Sequence, residues 1–165
     1  MRLAGVAADG MIESERDLFV RKLRELYHLE RELEDLQTEL AEAATDEDLE
    51  EFYMAHSETT TEQIGRLEPI FDAVEADPGE LESAPLAGFR EEREALVEDV
   101  QQPPLGDLVE AELGRSIERL ELTKLETLLE LADRMQLPDE IVDPLETTEA
   151  EVETGLERAR ELTEI

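Results

Sequence analysis

The chain has 165 residues, enough for one domain, and it contains no cysteine, which excludes disulfides, thiolate metal sites and cysteine nucleophiles. Its 47 acidic and 15 basic residues give a formal net charge of -32, and this sign excludes non-specific binding to nucleic acid. No run approaches the ~20 apolar residues of a spanning helix, so we expect a cytoplasmic protein that does not bind a membrane.

The acidic residues are spread along the chain between regularly spaced leucine, isoleucine, valine and phenylalanine residues. This pattern predicts a folded domain with acidic helix faces rather than a disordered acidic tail. Only two residues, Lys22 and Lys124, are lysines. This excess of acidic residues and scarcity of lysine are similar to the composition of proteins from halophilic archaea, in which salt screens the repulsion between like charges. The alternative is an ordinary acidic protein.

The first half of the chain is predicted to form two long helices, because apolar residues recur there at steps of three and four. Ser14 begins a capping-box pattern, so the first helix is expected over Glu15 to Ala43. Thr45 offers a similar start for a second helix over about Asp46 to Glu75. The segment Asp77 to Gly79, which contains a proline, is expected to end it.

A crossover is predicted from Glu80 to Gln102, with one short amphipathic helix near Gly88 to Val100. Pro103 and Pro104 are expected to end this short helix. Asp107 is then expected to cap a third long helix that continues to about Gln136.

A fourth long helix is predicted to begin at Pro144 and to run to the C-terminus, since Asp143 provides a cap before the proline. No strand pattern is visible. The sequence therefore predicts an all-α fold, an antiparallel four-helix bundle with a long crossover that contains a short helix. Residues 1–14 are expected to be a flexible N-terminal segment, and residues 15–165 a single domain.

Polar residues interrupt the apolar stripe of each long helix, near the middle of the first three helices. Buried carboxylates are costly unless they are paired, and cation-bridged carboxylates inside bundles are a known way to tolerate them. If the buried stripe of the third long helix instead ran through Leu113, Ile117 and Lys124, Glu118 and Glu121 would lie at the edge of the buried face. The candidate inward residues are Glu30, His56, Glu118, Glu121 and Glu149.

His56 has two interpretations that the sequence alone leaves open. A single histidine on an apolar helix face is more often a hydrogen-bonded core residue than a metal ligand. Here, however, glutamates are expected on the facing helices, so a role as a metal ligand stays open. His28, the second histidine, lies off the stripe and is expected at the surface.

Three segments resemble the YciE/YciF-type ferritin-like family of stress-associated bundle proteins. The first is Glu25-Leu26-Tyr27-His28-Leu29-Glu30. The second is His56 followed by Thr60, Gln63 and Arg66-Leu67-Glu68, and the third surrounds Ile117-Glu118-Arg119-Leu120-Glu121. The likeness covers roughly Leu18 to Leu162.

The resemblance implies a ferritin-like bundle, often dimeric, with a dinuclear metal centre, and it points to Glu30, Glu118, Glu121 and Glu149 as ligands. Thr59 and Arg119 stand where the family typically has glutamate and histidine. We therefore expect one weakly held ion rather than a full pair, and Arg119 could replace a cation by pairing with carboxylates.

Two functions remain open. In the first, the bundle binds non-haem iron or manganese, with at most a ferroxidase-like or peroxide-reacting activity, because hard oxygen ligands favour these metals. In the second, the chain is a non-catalytic structural or association protein with a metal-free polar core. We expect a homodimer in either case, and the sequence names no other protein partner.

Overall fold

The structure, a computed structural model, describes residues 11–163. Over this range the chain is all-helical and contains no strand, which confirms that the fold is all-α. Residues 1–10 of the expected N-terminal segment lie outside the described range. The five helices are α1 (Glu15–Ala43), α2 (Glu47–Ala73), α3 (Ala84–Asp99), α4 (Pro103–Arg134) and α5 (Asp139–Thr163).

The first two helices begin at side-chain caps. Ser14 Oγ accepts a hydrogen bond of 3.0 Å from the Asp17 amide at the start of α1, as the capping pattern predicts. At the start of α2, the cap is Asp46, which accepts from the Leu49 amide at 3.0 Å, and not Thr45. The hydroxyl and amide of Thr45 instead donate to the carboxylate of Asp107.

The boundary between α3 and α4 differs from the prediction. α3 begins earlier, at Ala84, after Ser83 caps it by accepting from the Leu86 amide at 3.3 Å. Pro103 and Pro104 begin α4 instead of ending α3. A proline fits the first helical turn because the N–H that it lacks would have no helical partner there.

The last helix also begins earlier than predicted, at Asp139, and Pro144 lies inside it. The carbonyl of Pro138 accepts hydrogen bonds from the Ile141 and Val142 amides at 2.9 and 3.1 Å. These bonds form the first turn before Pro144 is reached. Buried Ile141 holds this turn against the core, and α5 continues through the proline.

The four long helices pack in a closed arrangement, in which α1 and α5 each contact α2 and α4. α3 packs on α4 and buries only Leu86. Bidentate pairing of Arg66 with Glu151, at 2.6 and 2.7 Å, joins α2 to α5. No helix in the described range is both long and apolar enough to cross a membrane.

Candidate functional site

Four polar side chains from three helices lie near one another in the middle of the bundle. Glu30 comes from α1, His56 from α2, and Glu118 and Glu121 from α4. Glu118 and Glu121 share one face of α4 because they are three residues apart. All three glutamates are at most 2% exposed, so the prediction that they face inward is confirmed. Leu113 and Ile117 of the rotated stripe are buried as well, but its consequence that Glu118 and Glu121 lie at the flank is wrong.

Glu30 and Glu121 are neighbours in the core, since each carboxyl group shifts the pKa of the other. Two ionised carboxylates can only accept, so both oxygens of Glu30 and one of Glu121 are buried without a hydrogen-bond partner among the described residues. An unpaired buried carboxylate costs several kcal/mol. The pair is therefore stabilised by protonation or by a bound cation.

Burial and mutual repulsion favour the protonated forms of this pair. Burial and the nearby charge of Glu118 raise the pKa of Glu30 to about 7, although the interaction with Glu121 and the charge of His56 act in the opposite direction. The pKa of Glu121 is raised well above its usual range by burial and by the charges of Glu30 and Glu118. At neutral pH the two glutamates thus hold at least one proton unless a cation replaces it.

Glu118 is engaged differently, because its carboxylate contacts Nε2 of His56. Burial alone would lower the pKa of His56, but the hydrogen bond to Glu118 and the charges of Glu118 and Glu30 outweigh it, so the pKa is raised. The imidazole also stacks on Phe52, with ring centroids 4.4 Å apart. His56 is therefore a hydrogen-bonded partner of Glu118 in this structure, one of the two interpretations left open by the sequence.

A glycine of α5 lies directly behind this pair. A Cβ atom added at Gly155 would be 2.6 Å from Nε2 and 2.8 Å from Cε1 of His56, and 3.1 Å from Oε2 of Glu118. Real Cβ atoms essentially never approach within 3.0 Å of such atoms. The missing side chain of Gly155 is thus what leaves space for the imidazole.

A groove of about 750 Å³ opens beside His56, between α2 and α5. Phe52 and Ala55 of α2 line one wall, and Ala150 and Gly155 of α5 line the other. The side chain of His56 is 19% exposed, whereas that of Glu118 is 3% exposed. His56 therefore separates the groove from the buried carboxylates.

Glu149 does not join the cluster. It is partly buried, and its pKa is raised by burial and by the charges of Glu153, Glu126 and Glu146, none of which belongs to the central cluster. Thr148 occupies the inward position of α5 and is fully buried, with its hydroxyl donating to the Pro144 carbonyl at 2.8 Å. The inward register predicted for α5 is therefore wrong by one residue at this point.

The two positions that depart from the family pattern lie away from the cluster. Thr59 is partly exposed, and its hydroxyl donates to the Ala55 carbonyl at 3.1 Å. Arg119 is exposed, so the prediction that it could replace a cation in the core is wrong. α4 turns its neighbours Glu118 and Glu121 inward and Arg119 outward, as the helical period requires.

Two features of the core bear on metal binding and point in opposite directions. The oxygen atoms without partners on Glu30 and Glu121 suit a hard cation such as iron or manganese in charge and chemistry. However, among residues 11–163 no three histidine, aspartate or glutamate side chains converge on one point where they could hold a metal ion. The donors fit a metal, but their present arrangement is not a complete coordination site.

The polar core extends beyond the predicted residues. Thr60 donates to the side-chain oxygen of Gln37 at 2.9 Å, and both side chains are buried. Gln63 donates to Glu151 at 3.2 Å. Thr60 and Gln63 belong to the segment that resembles the family, but Gln37 gave no signal because one glutamine in a long acidic helix is ordinarily a surface residue.

Fold and core together define an all-helical bundle protein with a buried cluster of carboxylates and one histidine. The chain belongs to the family described as a domain of unknown function, DUF892, whose model matches residues 14–164. It is 25% identical over 123 residues to Protein YciF of Escherichia coli strain K12, which covers 72% of each chain. The predicted relationship to the YciF family is thus confirmed.

Two solved structures share the fold. YcfI from Rhodopseudomonas palustris matches with a TM-score of 0.87 and 23% identity, over 92% of this chain and 96% of that one. The E. coli stress protein YciF matches with a TM-score of 0.86 and 22% identity, again over 92% and 96% of the two chains. At these identities the structural likeness establishes the fold alone.

Proposed function

We propose that this chain is a ferritin-like bundle protein that binds a non-haem iron or manganese ion between Glu30 and Glu121, with Glu118 able to join as a further ligand when it is released from His56. The observation that carries the proposal is the set of three buried carboxylate oxygens without hydrogen-bond partners. These atoms belong to two helices that pack against each other at the centre of the fold. A divalent cation there would offset the repulsion that a proton otherwise relieves.

The ligand set also supports one weakly held ion rather than a pair of ions. Three glutamates supply hard oxygen donors, which suit iron and manganese. Glu149 and Thr59 lie outside the cluster, so fewer anionic side chains are at hand than a full dinuclear centre needs. When bound, the metal would supply redox chemistry toward oxygen or peroxide.

A second candidate function is a non-catalytic structural protein whose core is stabilised by protons. This reading is favoured by the pairing of Glu118 with His56 and by the lack of a three-ligand arrangement among residues 11–163. In that case Glu30 and Glu121 share a proton permanently. Both candidates predict the same fold, so only measurements on the core distinguish them.

The test is elemental analysis of protein purified without chelator from cells supplied with iron and manganese. Dialysis against molar salt first removes cations that are loosely held by the acidic surface, since salt screens exposed charges. Glu121→Gln removes one of the proposed ligands. Glu126→Gln is the matched control, because Glu126 is an exposed glutamate of the same helix.

The metal-binding proposal expects iron or manganese in wild-type protein and in Glu126→Gln, and a large loss in Glu121→Gln. Equal metal content in the two variants would remove the proposed site. If wild-type protein retains neither metal after dialysis, the structural candidate is the correct one.

The type of cell and the cellular location of the protein are also proposed. The net charge of -32 supports a salt-adapted cell, such as that of a halophilic archaeon, and a cytoplasmic location. The relation to the E. coli stress protein YciF suggests a role under stress.

We also expect a homodimer, since the long helices offer further faces for packing, and light scattering in molar salt would give the mass.

A further inference from the structure

At two of the helical glycines, Gly114 and Gly155, neighbouring side chains occupy the space of the missing Cβ atom, and at Gly155 these are the imidazole of His56 and the carboxylate of Glu118. At Gly65, Gly88 and Gly106 a Cβ atom would meet nothing within 4 Å. At Gly155 it would collide with the imidazole of His56 and crowd the carboxylate of Glu118. A glycine inside a helix is destabilising relative to alanine. The space that Gly155 leaves for the side chain of His56 is a reason for glycine at this position.

We propose that Gly155 is a positioning residue that holds the His56 imidazole against Glu118, and that this contact withholds Glu118 from a cation at the Glu30–Glu121 pair. The second half of the inference rests on the proposed metal-binding function. His56 thus acts as a latch on Glu118 and not as a metal ligand.

The positioning follows from the packing on each side of the imidazole. The ring of Phe52 packs against the imidazole with a tilt of 32° and a centroid distance of 4.4 Å, and α5 approaches the Nε2–Cε1 edge of the imidazole at Gly155. Within this space Nε2 reaches the carboxylate of Glu118. A methyl group at position 155 would push the ring away from that carboxylate, and the groove beside His56 has room to receive it.

The withholding follows from charge and geometry. The contact with His56 occupies one carboxylate oxygen of Glu118, while Glu118 is close enough to Glu30 and Glu121 to affect both electrostatically. If the imidazole moves into the groove, Glu118 becomes available as a third oxygen ligand.

The experiment uses the full chain and three variants: Gly155→Ala, His56→Ala and the control Gly88→Ala. His56→Ala removes the latch without adding atoms near α5, so it keeps the test informative if Gly155→Ala folds poorly. The imidazole signals of His56 are assigned by NMR in metal-free protein at one fixed pH. Mn²⁺ affinity is then measured by electron paramagnetic resonance in molar salt.

We expect Gly155→Ala to shift the His56 signals strongly and to raise Mn²⁺ affinity by roughly tenfold, because a third carboxylate becomes available to the ion. His56→Ala should raise affinity similarly, and Gly88→Ala should change neither property. Adding Gly155→Ala to His56→Ala should have no further effect on affinity, because the latch is already absent.

Unchanged His56 signals in Gly155→Ala would overturn the positioning role. Lower Mn²⁺ affinity in both Gly155→Ala and His56→Ala would overturn the latch and make His56 a ligand. If no form of the protein binds Mn²⁺, the metal function and the withholding role fail together, while shifted His56 signals would still establish Gly155 as the residue that positions His56.

Discussion

Glu30 of α1 and Glu121 of α4 face each other in the centre of the bundle, where they are 0% and 2% exposed. A structural core of this size does not need such a pair, since apolar residues of similar volume would be as stable or more stable. The pair is thus retained at a cost in stability. This relationship is the reason for expecting a ligand, and the predictions below test it and its surroundings.

The only two lysines of the chain both bind Glu25. Lys124 Nζ lies 2.6 Å and Lys22 Nζ 2.9 Å from Oε1 of Glu25. Burial alone would raise the pKa of Glu25, but hydrogen bonds from Lys124, Lys22 and Arg21 lower it to about 2. A lowered pKa contributes stability that is present above the unfolded value and is lost as the pH falls toward 2.

We therefore expect Lys124→Ala to reduce the free energy of unfolding at pH 7 by on the order of 1–2 kcal/mol and to flatten the loss of stability between about pH 4.5 and pH 2. Denaturant titrations at several pH values measure both effects. Arg134→Ala is the control, because its pair with Glu15 is exposed and should contribute little. A loss in Arg134→Ala as large as in Lys124→Ala would contradict this assignment.

Folding should weaken when salt is removed. With a net charge of -32, carboxylates on neighbouring helical turns repel one another once screening is lost. Helicity measured by circular dichroism should fall between molar and millimolar salt, and neutral osmolytes should not replace the salt fully. A flat response over this range would count against the salt-adapted origin.

Gly114 of α4 should tolerate substitution poorly. A Cβ atom there would lie 2.7 Å from the hydroxyl oxygen of Tyr53, which is buried and donates to the Glu110 carbonyl. We expect Gly114→Ala to destabilise the protein by about 1–3 kcal/mol through overpacking. Gly106→Ala on the same helix, where a Cβ meets nothing within 4 Å, should be neutral or stabilising in the same urea titration.

Glu149 should be dispensable for metal binding, although the sequence placed it among the ligands. It is surrounded by Glu126, Glu146 and Glu153 and not by the central cluster. Glu149→Gln should leave Mn²⁺ affinity unchanged, and it should stabilise the fold slightly at low salt because one repelling charge is removed. A loss of affinity equal to that of Glu121→Gln would restore Glu149 as a ligand.

The helical period was enough to predict the inward residues of α1 and α4. Phe19, Leu23 and Leu33 surround Glu30 at steps of three, four or seven residues, so only one face can be buried. In α5, Leu145 and Val152 are seven residues apart, and both Thr148 and Glu149 lie between them on the inward side. Thr148 is buried because its hydroxyl bonds to its own helix, which a carboxylate cannot do.

Other features left no signal in the sequence. Gly155 carries no side chain, so its role depends on His56, which is contributed by another helix. Pro103 was interpreted as a helix end because proline is compatible with both the end and the first turn of a helix. The pairing of Glu118 with His56, and not with a third carboxylate, depends on side-chain positions that periodicity does not determine.

The most direct test of the central claim is anomalous diffraction from crystals of the protein grown in molar salt with Mn²⁺. The metal-binding account predicts an anomalous peak bound by carboxylate oxygens of both Glu30 and Glu121, and no peak in crystals of Glu121→Gln. It is contradicted if wild-type crystals show no such peak and the two carboxyl groups are hydrogen-bonded directly to each other.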